Sequence, residues 1–383
     1  APSKGNLTRD INPSEIQFKF GQVYEKNEFY PSRIAFLRDP YIVRNIRGQT
    51  IVFQPLQYNP VKKILRVYKS INLEIKSDGI SQINPLIGLP KVNSSSREFD
   101  AIFQNHFINY NQHDIREERL QENGRMLVLS HPDFIPAMEP FVNWKNMKGI
   151  QTEIASIEGL GDAESIKSFV ENYYYENGLV YLLLVGDIDQ IPSPRFSIGA
   201  GSNSPADPNY SFIAGDDYYP EIFVGRFSAE NISHVNTMVS RTITYEKYPS
   251  LNGQWYHKGS GFASNEGPGD NNEYDDEHLN VIRSLLLDYT FTEVDQVYDP
   301  LGSVFDGEQA INDGRSIINY TGHGSSSSWG NGCPMNNTNV NGLSNFNKWP
   351  YIWSVACVNG EFHLGTCFAE TWLRATDNQG NPT

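Results

Sequence analysis

From residue 126 onward the chain alternates short apolar segments with helical segments, and this pattern restricts the fold more than any other feature. RMLVLS, QTEIASI and the continuous apolar run Val180–Val185 are typical of buried strands in a parallel sheet. Residues 133–149 and 162–178 have helical spacing, with Asp162 placed as an N-cap and Gly178 just past a helix end. The alternation predicts a doubly wound, mostly parallel α/β fold.

The pattern divides the chain into four regions. Residues 1–90 carry short apolar runs such as IQFKF and TIVFQPLQY between Pro and Gly residues, which predicts a small all-β domain, a sandwich or barrel. Residues 91–125 are polar and are predicted to be a linker that is open to cleavage. Residues 126–250 and 251–383 are each predicted to form an α/β subdomain, and the second contains the residues most capable of chemistry.

Charge limits the possible partners. The net charge of −15 argues against a nucleic-acid partner. Residues 1–125 hold 18 basic and 13 acidic side chains, whereas residues 126–383 hold 12 basic and 32 acidic ones. A basic front and an acidic body are expected to attract each other, and the acidic body favours cationic substrates or Ca²⁺.

No apolar stretch approaches the ~20 residues of a membrane-spanning helix, so no membrane span is predicted. The first residues, APSKGNLTRD, lack the apolar core of a signal peptide. We therefore expect a signal peptide to be absent or already removed.

Two predicted strands lead directly into residues that can do covalent chemistry. SIINY runs into the TGHG sequence that contains His323, and YIWSVA runs into the CVNG sequence that starts at Cys357. Ligands bind beyond the carboxyl ends of parallel strands, so we expect the imidazole and the thiol to meet at one sheet edge. Gly322 and Gly324 keep the histidine loop bare, so a substrate backbone can approach closely.

A thiol beside an imidazole suits nucleophilic catalysis. The thiolate is the nucleophile, and an ordinary cysteine thiol with a pKa of ~8.5 is mostly protonated at neutral pH. An adjacent imidazole takes that proton and then protonates the leaving amine. The backbone N–H groups of Cys357 and Gly324 are candidates for an oxyanion hole. From these residues alone, buried packing for Cys357 and a turn role for His323 remain an equal alternative.

The other two cysteines are weaker candidates. The chain has three cysteines and no CxxC spacing, which argues against a zinc ribbon and leaves at least one thiol unpaired within the chain. Cys367 opens a helical pattern and is predicted to be buried. Cys333 lies in a polar loop, and the sequence does not fix its state.

At this point the sequence resembles a known family. NYTGHGSSSSWG and VACVNGEF are similar to the histidine and cysteine motifs of the gingipains, secreted cysteine endopeptidases with a caspase-like fold. Further segments resemble the family in the same order, among them YLLLVGDIDQIP, EIFVGRFSAE and CFAETWLRA. The resemblance covers roughly Asn123 to the end of the chain. It implies that Cys357 is the nucleophile and His323 its acid–base partner.

The resemblance also extends to the segment FASNEGPGDNNEYDDEHLNVI. It implies that Glu266 orients His323 as the third member of a triad. It implies that Asp275 lies at the base of a pocket for a cationic P1 side chain, with Asp276 or Asp270 as alternatives because the loop is two residues shorter here. A solvated acidic loop is the simpler alternative. Trp329 is a candidate for lining the cleft, with simple surface packing as its alternative.

An acidic segment before a predicted strand suits a hard cation. Closely spaced carboxylates and carbonyls are the ligands that Ca²⁺ prefers. The resemblance implies a structural calcium ion held by the side chains of Asp217 and Glu221 and the carbonyls of Ala214 and Tyr219. An acidic turn without metal is the alternative.

The front region resembles the pro-domain of the same family, more weakly than the rest does. The resemblance implies that it docks on the catalytic region as inhibitor and chaperone, and an Arg or Lys from the linker is a candidate to plug the pocket. Arg97 and Arg116 are the candidates for this plug, with Lys91 as a further one, and Arg116 is the first choice for the processing site. An ordinary β accessory domain is the alternative.

The leading interpretation is a secreted or cell-surface cysteine endopeptidase in precursor form, cutting after basic residues, with Arg favoured over Lys. A sortase-like transpeptidase of the same clan and a silent calcium-binding module are the alternatives. The chain stops inside the family's peptidase domain, so we expect an unpaired sheet edge with exposed apolar side chains.

Overall fold

A computed structural model describes residues 3–5, 13–76, 79–91, 96–110, 124–196, 203–269 and 272–383. The chain separates into two compact units. The first comprises Ala1–Leu89 together with Phe212–Glu221, and the second comprises Pro90–Ser211 with Ile222–Thr383. The first unit therefore contains a segment that lies well inside the predicted α/β region.

The first unit is built from three antiparallel strand pairs. Strand β1 pairs with β4, β2 with β3, and β5 with β6. The six strands are β1 (Ala35–Leu37), β2 (Tyr41–Val43), β3 (Ile46–Gly48), β4 (Ile51–Phe53), β5 (Leu56–Asn59) and β6 (Ile64–Val67). Only β2 is buried along its whole length. The β-rich character is as predicted; the described strands form three separate pairs, and a sandwich or barrel stays a prediction.

The second unit begins with helix α1 (Arg97–His106), which lies inside the predicted linker. Phe99 and Phe103 are buried, and the ring of Phe99 packs against that of Phe223 at a centroid distance of 4.7 Å. Glu98 also accepts a hydrogen bond from Tyr181. Residues 97–106 of the predicted linker therefore form a helix, because two aromatic residues four positions apart give the polar segment one buried face.

The first parallel sheet has the strand order β12-β9-β7-β8. Its elements, with two short pairing strands, are β7 (Arg125–Ser130), α2 (Ile135–Met147), β8 (Gln151–Ser156), α3 (Ala163–Asn177), β9 (Leu179–Val185), β10 (Arg195–Phe196), β11 (Ser204–Pro205), β12 (Phe223–Phe227) and α4 (Ile232–Lys247). The apolar run predicted as a strand is β9, the second strand in that order. The side chain of Asp162 accepts from the N–H of Ser165, and Gly178 ends α3 at φ 70°, as their sequence positions predict.

The second parallel sheet has the strand order β14-β13-β15-β18. Its elements are β13 (Lys258–Ala263), α5 (Asp275–Tyr289), β14 (Glu293–Tyr298), α6 (Val304–Asp313), β15 (Ile317–Thr321), the hairpin β16 (Gly324–Ser325) and β17 (Ser328–Trp329), α7 (Asn337–Asn341), β18 (Tyr351–Val355) and α8 (Phe368–Arg374). Strand β18 ends the strand order, and its Tyr351, Trp353 and Val355 are exposed. The predicted α/β architecture with parallel sheets is confirmed.

Each sheet has its own apolar core. Val128 and Val185 pack with Met138 of α2 and Met238 of α4 on the first sheet. Phe262, Ile318 and Tyr320 pack with residues of α8 and the β17 hairpin on the second. In the described part of the chain, no helix is long and apolar enough to cross a membrane.

The packing of α1 predicts a large stability effect at Phe99. Replacing Phe99, 1% exposed, by Ala leaves a cavity and should lower the free energy of unfolding by about 3 kcal/mol. Ile108→Ala is the matched control, since Ile108 is fully exposed and its truncation should change stability by less than about 0.5 kcal/mol. Urea unfolding followed by circular dichroism checks both, and equal effects would contradict the docking of α1.

Candidate active site

Strand pairing places the histidine and cysteine loops at one edge. Strands β15 and β18 run parallel as direct neighbours, with Thr321 opposite Val355 at their carboxyl ends. Each candidate residue follows two positions later, His323 after one strand and Cys357 after the other. The N–H of Gly322 also donates to the carbonyl of Val355 at 3.3 Å, so the two chains remain joined just beyond the last paired residues.

The two loops touch at Gly324. A Cβ atom on Gly324 would lie 2.7 Å from the Cβ of Ala356 and 2.7 Å from the carbonyl oxygen of Cys357. Those distances are shorter than real Cβ contacts, so only glycine lets the loops come this close. The glycine next to the histidine therefore serves the approach of the two loops to each other.

The histidine loop is held by its own backbone and neighbours. The N–H of His323 donates to Asn331 Oδ1 at 3.0 Å, and its carbonyl accepts from the N–H of Gly330 at 2.8 Å and from the hydroxyl of Tyr320. The imidazole itself has 57% of its side-chain surface exposed. A fixed backbone with an accessible ring suits a group that must meet a substrate.

Glu266 reaches the imidazole from a third strand end. It follows β13, which lies beside β15 in the sheet, and its Oε2 lies 3.0 Å from His323 Nε2. Ser264 steadies this loop, because its hydroxyl oxygen accepts from the N–H of Glu266 at 3.2 Å. The structure thus brings together His323 and the carboxylate that the resemblance assigned to it.

Asn359 joins the cysteine loop to the histidine hairpin. Its side-chain amide is buried and donates to the carbonyls of Ser325 and Ser328 at 2.6 and 3.0 Å. Its Oδ1 accepts from the hydroxyl of Ser354 at 2.8 Å, and that hydroxyl accepts from Trp329 Nε1 at 2.8 Å. The sequence patterns do not single out Asn359, for which the one signal is its position two residues after the candidate nucleophile.

The backbone turns sharply directly after Cys357. Val358 has φ 54°, in the left-handed region, where a β-branched residue is an outlier. Such strain costs about 1–3 kcal/mol and is kept where the surroundings hold it, commonly at functional sites. The conformation therefore redirects the chain immediately after the thiol.

The three cysteines differ in accessibility. Cys357 is exposed, whereas Cys333 and Cys367 are buried. Burial raises the pKa of Cys333 to about 12 and that of Cys367 to about 11. Those two thiols remain protonated and inert at neutral pH, which leaves Cys357 as the thiol able to react.

The structure corrects the role expected for Trp329. Its side chain is 1% exposed and stacks on Tyr320 at a centroid distance of 4.6 Å, with Phe368 and Trp372 around it. It belongs to the core of the second sheet. Its indole N–H instead supports Asn359 through Ser354.

Asp275 begins α5 in a half-buried position. Its carboxylate accepts a hydrogen bond from Ser264, and its N–H donates to the carbonyl of Glu266 at 2.9 Å. It is thus tied to the loop that carries Glu266. Its assignment to a specificity pocket stays a prediction, as does the oxyanion role of the Gly324 and Cys357 N–H groups.

The structure describes two of the three candidate plug and processing residues. The third, Arg116, lies outside the described residues. Asp270, an alternative for the pocket carboxylate, also lies outside them. Arg97 is the exposed first residue of α1, not part of an extended linker. Lys91 forms an ion pair with Glu176 at 2.6 Å.

The predicted calcium ligands do not fit a cation as they stand. Both carboxylate oxygens of Asp217 and both of Glu221 accept hydrogen bonds from N–H groups, so donors occupy the positions where a cation would bind. Burial raises the pKa of Glu221 to about 7, and the N–H groups of Ala214, Ile213 and Arg44 oppose that rise. Among the described residues no group of three or more His, Cys, Asp or Glu side chains could hold a metal ion.

Comparison with known proteins agrees with this geometry. The peptidase family C25 model matches residues 119–380, and the C25 propeptide model matches residues 1–114. The chain is 40% identical over 391 residues to Gingipain R2 of Porphyromonas gingivalis, an alignment that covers 100% of this chain and 52% of the relative. The chain therefore spans about half the length of that relative.

Two solved structures are similar to this one. The Arg-specific cysteine proteinase gingipain R gives a TM-score of 0.64 at 40% identity, covering 70% of this chain and 62% of that one. A complex of the pro- and mature domains of Porphyromonas gingivalis RgpB gives a TM-score of 0.64 at 40% identity, covering 68% and 62%. The caspase-like fold that the sequence predicted is thereby confirmed.

The contact at Gly324 predicts a large kinetic effect. Gly324→Ala should push the histidine loop away from the cysteine loop, and a misplacement near 1 Å should slow reaction at Cys357 by roughly 100-fold. Gly360→Ala is the matched control, because a Cβ there meets nothing within 4 Å. The alkylation rate of Cys357 by an irreversible peptidyl inhibitor checks both variants, and similar rates would contradict the close approach.

The hydrogen bonds of Asn359 predict that its removal lowers both the stability of the chain and the reactivity of Cys357. Asn359→Ala removes the acceptor of the Ser354 hydroxyl and the donor to the carbonyls of Ser325 and Ser328, which should cost about 1–3 kcal/mol of stability. We expect the same alkylation rate to fall at least tenfold, since the cysteine loop loses its tie to the hairpin. The exposed Asn341→Ala serves as control, and an unchanged rate in Asn359→Ala would refute the positioning role.

Proposed function

The chain belongs to peptidase family C25, and from this membership we propose that it is the precursor of a secreted cysteine endopeptidase that cleaves after basic residues. The single observation that carries the proposal is the convergence of three strand ends, which places an exposed thiol, an imidazole and a carboxylate at one sheet edge.

The geometry supports a defined role for each group. Cys357 Sγ attacks the peptide carbonyl carbon and passes its proton to His323, which then protonates the leaving amine as the C–N bond breaks. Water next attacks the thioester, and the thiol is regenerated. With Nε2 of His323 held by Glu266, Nδ1 is the ring nitrogen left to exchange the proton with the thiol.

The carboxylate of Glu266 supports this chemistry without itself touching the substrate. It holds the imidazole in one orientation and stabilises the imidazolium that forms when the thiol loses its proton. The N–H groups of Gly324 and Cys357 would receive the developing negative charge on the carbonyl oxygen.

Preference for arginine rests on two kinds of support. The similar gingipain R is described as Arg-specific, and it is 40% identical to this chain over an alignment that covers 70% of this chain. Asp275, at the start of α5 beside the Glu266 loop, is the carboxylate that we assign to the P1 cation, with Asp276 as its neighbour. A carboxylate binds a guanidinium by charge and by paired hydrogen bonds.

Residues 1–114 are proposed to inhibit and assist folding of the peptidase region. The propeptide match supports this, and a complex of pro- and mature domains is known for the similar RgpB. The surplus of basic residues before position 126 and of acidic residues after it favours mutual attraction. Arg116 is the proposed processing site.

Affinity labelling tests the proposal. The chain is incubated with peptidyl chloromethylketones ending in Arg, Lys or the uncharged norleucine, before and after the propeptide is released, and the modified residue is identified by mass spectrometry. We expect labelling at Cys357, at least tenfold faster with Arg than with norleucine, because the buried thiols do not react. Release of the propeptide should increase the rate.

The controls separate the alternatives. Cys357→Ala should abolish labelling, and Cys367→Ala should abolish it only if the wrong thiol has been assigned. Equal rates for the three probes would refute basic specificity, and absence of labelling after propeptide release would refute peptidase function.

A further inference from the structure

The first compact unit contains residues from both the propeptide match and the peptidase match. Phe212–Glu221 lies within the stretch matched by the peptidase family, yet it belongs to the same compact unit as Ala1–Leu89, which the propeptide family matches. We call this segment the acidic loop, since it contains Asp216, Asp217 and Glu221. Its contacts with the propeptide residues of that unit explain its placement.

Asp217 binds two propeptide residues. Its Oδ2 accepts from the N–H of Ile42 at 2.9 Å and from the side-chain amide of Asn84 at 3.3 Å. Its Oδ1 accepts from the N–H of Tyr219 within the loop at 3.0 Å. The carboxylate thus joins the loop to buried strand β2 and to Asn84.

Glu221 binds the residue that follows the same strand. Its side chain is completely buried, and its Oε1 accepts from the N–H of Arg44 at 3.3 Å. The guanidinium of Arg44 donates in turn to the carbonyl of Glu221 at 2.9 Å. Oε2 accepts from the N–H groups of Ile213 and Ala214 at 2.7 and 2.9 Å, so the carboxylate also closes the loop on itself.

The acidic loop also packs closely against the propeptide residues. The rings of Tyr41 and Tyr219 stack at a centroid distance of 4.3 Å. The N–H of Asp216 donates to Asn84 Oδ1 at 2.7 Å. Gly215 has φ 81°, and a Cβ there would lie 3.3 Å from both Asn84 Oδ1 and Ile42 Cδ1, so the loop lies directly against the propeptide residues.

We propose that the acidic loop is a docking segment for the propeptide, and that Asp217 and Glu221 bind propeptide N–H groups where a cation was expected. The carboxylates that looked like metal ligands in the sequence are acceptors for strand β2 and its successor Arg44. This inference rests on the proposed propeptide role of residues 1–114, but it requires no peptidase activity.

The physical basis is competition for the same oxygen atoms. Hydrogen bonds to an ionised carboxylate are roughly twice as strong as those between neutral groups. A hard cation needs the same carboxylate oxygens, and it would repel the N–H dipoles that now point at them. A cation would therefore compete with the propeptide N–H groups at Asp217 Oδ2 and Glu221 Oε1.

Hydrogen–deuterium exchange on the full chain tests this, with Cys357→Ala included to prevent self-cleavage. Asp217→Ala should speed exchange of the Ile42 amide roughly tenfold, because a hydrogen bond to a charged acceptor is lost. Asp216→Ala is the matched control in the same loop, removing the same charge from an exposed side chain. Glu221→Gln should speed exchange at Arg44, and unchanged exchange in β7 and β9 reports that the first sheet remains folded.

In the second part of the experiment, exchange is measured with calcium chloride added. Calcium should leave exchange at residues 41–44 unchanged or make it faster. Slower exchange there and in the acidic loop together would mean that cation and propeptide bind at once, which overturns the proposal. Equal exchange at residues 41–44 in the Asp217→Ala and Asp216→Ala chains would also overturn it.

The result of the exchange experiment can be distinguished from that of the affinity labelling. Labelling reports on Cys357 and its pocket, whereas exchange reports on residues 41–44 in a chain without that thiol. Loss of labelling with an intact exchange difference would remove the peptidase proposal and leave the docking segment in place.

Discussion

The parallel pairing of β15 with β18 is the constraint on which the rest of the site depends. It places Thr321 opposite Val355, so two chain segments leave the sheet side by side. Because the hydrogen-bonded ladder fixes this register, His323 and Cys357 lie in adjacent loops without any need for a flexible approach. Gly324 then permits a separation that any larger residue would prevent.

Residues from elements that are distant in sequence hold the histidine and cysteine loops in place. Glu266 comes from the end of β13, and Asn359 links the cysteine loop to the hairpin through buried hydrogen bonds. Trp329, expected at the surface, is buried and completes that network through Ser354. Reactive groups are thus exposed at the edge, while buried Asn359 and Trp329 hold the loops behind them, which is the arrangement that precise chemistry requires.

The acidic loop shows that a carboxylate cluster can be read in two ways. In sequence, Asp217 and Glu221 resemble ligands for a hard cation. In the folded precursor their oxygens face N–H groups of strand β2 and of Arg44, and such carboxylates are acceptors for a bound backbone. Composition could not distinguish a cation site from a site that binds backbone N–H groups, because the donors Ile42 and Arg44 lie more than 170 positions away.

Local patterns in the chain were enough to predict the parallel α/β fold and the strand-end positions of His323 and Cys357, because strand–helix alternation and strand ends involve only nearby residues. They could not predict the packing of Phe99, the burial of Trp329, the role of Asn359 or the donors around Asp217 and Glu221. Each of these depends on which segments meet in three dimensions, and local periodicity contains no information about such distant partners. Long-range packing therefore fixes which polar groups face the substrate edge and which hold the chain together.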